Sequence, residues 1–122
     1  MAYQIGVLDV TFTADDDLRA KQHHLVAMVG PNAVNTVGGA GPTIGGLQNK
    51  PDKGEAASVR IFGITKIVSA SVTASGELIA NNNGKGSPAG PGDFQCGMFL
   101  EDAGAADEVI TAAIQIGNVF LP

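Results

Sequence analysis

Residues 44–66, IGGLQNKPDKGEAASVRIFGITK, run as a Gly-bounded apolar segment, a polar turn and a long series of β-forming residues. The spacing predicts a short strand over 44–48 and a turn over 49–54, with Pro51 and Gly54 as its punctuation. The strongest strand of the chain is predicted over 57–68. Val59 and Ile61 share one phase before Gly63, whereas Ile64 and Val68 fall in the opposite phase after it. A one-residue shift at a glycine is the signature of a β-bulge, which is expected here. The stretch contains no constellation of catalytic residue types.

The composition around it limits the options. A chain of 122 residues with 44% hydrophobic residues makes one domain. At this size it buries about two-thirds of its unfolded surface, enough for one core without a roomy internal cleft. Aromatics are 5% and Trp is absent, so the core must be built from Val, Ile, Leu and Ala. Such a core is thin for a monomer, and association would offset that. The 17 glycines leave little room for long helices but suit short strands joined by tight turns. The net charge of -5, with basic residues scattered singly, argues against nucleic-acid binding. Absence of a bilayer-length apolar run or a signal-peptide pattern predicts a soluble protein made in a cytoplasm, without membrane association. The single cysteine, Cys96, cannot form an internal disulfide.

Outward from the central stretch, strands are predicted over 25–29, 78–80, 94–100 and 108–116, with a weaker one after position 33. Ile110, Ala112, Ile114 and Ile116 alternate cleanly with Val109, Thr111, Ala113 and Gln115. Asn83-Gly84 predicts a type I′ hairpin turn. Thr13 followed by Asp16, with acidic residues in a first turn, predicts one short helix within 13–24. Residues 2–13 carry β-formers but no neighbouring hairpin turn. They are read as an extended N-terminal arm (1–13) ahead of the domain (14–122), the alternative being an ordinary first strand of the sheet. The expected fold is all-β: a small antiparallel sandwich or barrel of about seven strands, with that arm and one short helix.

The residue types that carry chemistry fail on spacing. An EF-hand loop starting at Asp15 needs Gly at 20 and Glu at 26, where the chain has Ala20 and Val26. His23 and His24 are adjacent, so their side chains diverge, and no second Cys or HExxH spacing accompanies them. Cys96 sits in the apolar run GDFQCGMFL, where a thiol packs as a small hydrophobe. The Gly-rich 37–46 stretch lacks GxxxxGK[ST], and Pro42 removes a backbone donor that a phosphate loop would use. The expectation is no enzyme, no cofactor and no metal.

The central stretch resembles the middle block of the head-decoration, or capsid cement, proteins of tailed bacteriophages. The residues that carry the resemblance are Ile44, Gly45, Leu47, Gln48, Asn49, Pro51, Gly54, Glu55, Val59, Arg60, Gly63 and Lys66. It extends through DLRAKQHHLVAMVG (17–30), through Gly76, Glu77, Leu78, Gly84 and Lys85, and through Gly97, Leu100, Glu101, Ala103 and Val109. The resemblance implies a homotrimer on the outer surface of the expanded head that bridges neighbouring major capsid proteins and has no catalytic activity. In that setting Tyr3, Ile5, Val7, Leu8 and Phe12 of the arm are the expected capsid-binding residues, since they are β-prone or apolar and not tied to the domain by a turn. Val109 and Phe120 are candidates for burial between subunits. The alternatives are a small carbohydrate- or ligand-binding β-module, which the scarcity of Tyr and Trp disfavours, and a structural subunit unrelated to phage.

Overall fold

The structure, a computed structural model, describes residues 5–120, the side chains of 116–120 excepted. Its strands are β1 (Ile5–Ala14), β2 (Leu25–Gly30), β3 (Ala33–Asn35), β4 (Gly45–Leu47) and β5 (Ala56–Val68), followed by β6 (Leu78–Asn82), β7 (Lys85–Pro88), β8 (Phe94–Phe99) and β9 (Val109–Phe120). The sheet order is β1-β3-β2-β4-β5-β9-β8-β6-β7, and β1 pairs additionally with β5. That extra pairing closes β1, β3, β2, β4 and β5 into a five-stranded barrel. All these pairings are antiparallel except β1 with β3, which is parallel. The barrel alternative of the expected fold is therefore the observed one.

The 13-residue β5 belongs to both halves of the molecule. One of its edges pairs with β1, while Val59 and Arg60 meet β4 and residues 62–68 meet β9 on the other. Beyond β5, Ser69 bridges Gly86 and the Ala70 N–H donates to the Gly86 carbonyl at 2.8 Å, drawing β7 back onto the chain. Two cores result. Val26, Val34, Leu47, Val59 and Ile61 pack inside the first half, with Leu18 beneath them. Leu25, Ile67, Ile79, Phe99, Ile110 and Ile114 pack inside the second. Between them Thr65 is fully buried and accepts a hydrogen bond from Gln48 Nε2 at 2.9 Å.

Local signals account for the turns. Asn83 and Gly84 both take positive φ (53° and 87°), as a type I′ turn requires. Gly45 is demanded by close approach: a Cβ there would overlap the carbonyl oxygen of Arg60 on the paired strand.

Three expectations change. No helix forms over 13–24. Thr13 stays in β1, where it pairs with Ala56 and donates its N–H to the Asn32 carbonyl at 2.8 Å. Asp16 and Asp17 accept from the backbone N–H groups of Asp17 and Arg19, so local side-chain bonds replace helical ones. Leu18 then drops into the first core. Second, residues 5–13 are not a free arm. They form β1, paired with β5 from Ile5↔Ile64 to Thr13↔Ala56, which is the alternative of an ordinary first strand. The Arg60 guanidinium clamps this seam, donating to both Asp9 carboxylate oxygens at 2.8 and 3.1 Å and to the Ile64 carbonyl at 3.1 Å. Third, β5 does not change phase at Gly63. Ala57, Val59, Ile61, Thr65 and Ile67 all face inward, and the irregularity lies in the β1–β5 pairing on either side of Phe62.

Deleting residues 2–12 is accordingly expected to abolish cooperative thermal unfolding, because it opens the barrel. Gly45→Ala should cost about 2–4 kcal/mol in denaturant unfolding, since the backbone of β5 must shift to admit the methyl group.

Candidate functional site

The outward phase of β5 carries Phe62 and Ile64, and pairing aligns them with apolar residues on four other strands. Leu78 of β6 sits opposite Met98 of β8, Met98 opposite Ala113 of β9, Ala113 opposite Ile64, and Ile64 opposite Ile5 of β1. Residues in register on antiparallel strands project to the same side, so this row is one continuous apolar stripe. Val7 and Leu8 extend it on β1. Val7 is 63% exposed and Phe62 48%, against full burial for the inward-facing Val59 and Ile67. The stripe lines a shallow groove of about 500 Å³ with Gly63 and Gly97 in its lining and Gln95 and Gln115 as its polar members. Single exposed apolar side chains are ordinary, but a contiguous set on one face marks an interaction surface.

The expected capsid-binding residues divide. Ile5, Val7 and Leu8 belong to this exposed face. Phe12 does not: it is half-buried and packs against the first core. Tyr3 lies outside the described residues. Phe62, Leu78 and Met98 were not singled out from sequence. The available signal was Phe62 in the phase opposite to Val59 and Ile61, but nothing local tells that five strands align. Val109 is exposed, as a subunit contact would need, and the Phe120 side chain lies outside the described set.

Several residues of chemically active types make contacts within the fold. Asp17 forms a two-pronged ion pair with Arg19 (2.9 and 2.8 Å), and that partner pulls its carboxyl down to about 2. Glu101 accepts from both the backbone N–H and the hydroxyl of Thr111, which lowers its pKa and fastens the 101–107 turn to β9. Asn81, 2% exposed, donates to the carbonyls of Val37 and Gly39 and accepts from Gly84 N–H, holding the Gly-rich loop in place. Cys96 is buried in the second core, with Sγ 3.6 Å from the Ile79 carbonyl, and burial pushes its thiol up to about 11. Among the described residues no group of three or more His, Cys, Asp or Glu is arranged to hold a metal ion.

Neither a family model nor a curated protein matches the sequence. Among solved structures, the chain is similar to the N-terminal base of the head fiber protein gp8.5 of bacteriophage phi29. The TM-score is 0.65 at 16% identity, covering 92% of this chain and 97% of that one. At that identity the likeness lies in the fold, and it extends through both halves of the molecule.

A thiol held near 11 is almost wholly protonated at pH 8, and the thiolate is the nucleophile. Native protein is expected to resist iodoacetamide at that pH and to be alkylated at Cys96 only on unfolding, as read by mass spectrometry.

Proposed function

We propose that this protein is a non-catalytic structural component of a tailed-phage head, attached to the outer surface of the shell through the apolar face of β1, β5, β9, β8 and β6. The observation that carries this reading is the face itself: exposed apolar side chains in register across five strands. The architecture shared with a protein named as the base of a phage head fiber supports a head-associated role. The resemblance of residues 44–66 to capsid cement proteins supports the finer reading: a homotrimer that bridges neighbouring major capsid proteins and strengthens the expanded head. Ile5, Val7 and Leu8 remain capsid-contacting residues in this proposal, as part of a fixed face.

The test is co-sedimentation with expanded heads that lack the protein. Phe62→Asp and Met98→Asp should each weaken binding by about tenfold or more, because burial of such a side chain is worth about 1.5–3 kcal/mol and tenfold is 1.4 kcal/mol. Val72→Asp, at an exposed apolar position that does not line the groove, should bind as wild type does. Folded Phe62→Asp and Met98→Asp variants that pellet with heads at wild-type levels would exclude this face as the attachment. Light scattering, together with density on decorated heads, should give a trimer.

A further inference from the structure

The segment from Gln22 to Val26 threads between the two cores. Leu25 packs into the second core and the adjacent Val26 into the first. Backbone bonds at the two histidines tie both halves to it. The His23 N–H donates to the Leu47 carbonyl at 2.8 Å, and the Leu47 N–H donates to the His24 carbonyl at 2.9 Å, both on the β4 side. From the other half, Val68 N–H donates to the His23 carbonyl at 3.1 Å, and Leu25 N–H donates to the Gly84 carbonyl at 2.6 Å. His23 takes a φ of 67°, a left-handed conformation that a residue with a side chain holds only when its surroundings impose it.

The imidazoles sit where a positive charge is poorly received. His24 is 7% exposed and lies against Gly84, with Nδ1–H donating to the Gln22 carbonyl at 3.3 Å. His23 Nδ1 is buried without a hydrogen-bond partner among the described residues. The charged groups facing the pair are mostly cationic. Lys66 of β5 and Lys50 of the 49–54 turn act on His23, while Lys21 and Lys85 of β7 act on His24. The acidic group near His24 is Asp107, which is already bonded to Lys85.

We propose that His23 and His24 form an acid-sensitive joint between the two halves of the molecule, locked while both rings are neutral and released when they take up protons. Burial, followed by the neighbouring positive charge of Lys66, lowers the His23 pKa, and burial chiefly lowers that of His24. The sign follows. Unfolded histidine titrates near 6.5, so below that pH the unfolded chain binds protons that the native protein does not. The joint's stabilisation is complete above about pH 6.5 and falls away as pH drops below it. Release should begin at the bonds to Leu47, Val68 and Gly84, leaving each core packed.

The experiment compares wild type with the double variant His23→Asn, His24→Gln. Asn tolerates the left-handed backbone at 23, and neither replacement titrates. Stability is measured by urea unfolding from pH 7.5 to 4.5. Between pH 6.5 and 5, wild type should take up more protons on unfolding than the double variant does. Amide exchange at pH 5 should lose protection at Leu25, Leu47 and Val68 before Ile61 and Ile110. NMR titration of the wild-type imidazoles, which stands whether or not the variant folds, should give midpoints below 6.5. Equal pH dependence in the two proteins, or imidazole midpoints at or above 6.5, would overturn the proposal.

Discussion

Occupancy of both edges of β5 organises this molecule. One edge is taken by β1, and the other is divided between β4 and β9. A strand paired on both sides is fixed in register, and a one-residue slip would turn its whole inward set toward solvent. That register carries Val59 and Ile61 into the first core and Ile67 into the second. Thr65 stands where the cores part, and a hydrogen bond from Gln48 satisfies its hydroxyl without water. The β1 seam is held by Arg60, whose fork meets the Asp9 carboxylate with two parallel bonds, the geometry that makes such pairs strong.

The same constraint creates the exposed face. With the odd-numbered side chains of β5 committed inward, Phe62 and Ile64 are directed outward, and pairing brings Ile5, Ala113, Met98 and Leu78 alongside. An apolar row spanning five strands costs a soluble monomer favourable hydration, so it is the feature that calls for a partner. Beneath it the inward positions are filled, and the buried polar groups of Asn81 and Ser69 are bonded to backbone.

Scarcity of aromatics reads differently once the fold is known. Phe99 fills the second core, whereas Phe62 is given to the surface. Small side chains suffice inside because two narrow cores share one strand. Neither needs to span the full width of the molecule.

Much of this was legible from local chemistry. The turn at 49–54, the long strand that follows it, the Asn83-Gly84 hairpin and the alternation of β9 each depend on a few neighbouring residues, and each is found. What depended on distant partners was not. Residues 5–13 have no hairpin turn because their partner, β5, is some fifty positions away along the chain. The helical signal after Thr13 lost to pairing with Ala56 and to the burial of Leu18. The apparent phase change at Gly63 vanished because a polar Thr65 occupies an inward position, where its bond to Gln48 compensates for it. Alternation along a strand names the residues on a face. Pairing in space decides which faces join, and hence that Ile5, Phe62, Met98 and Leu78 share one surface.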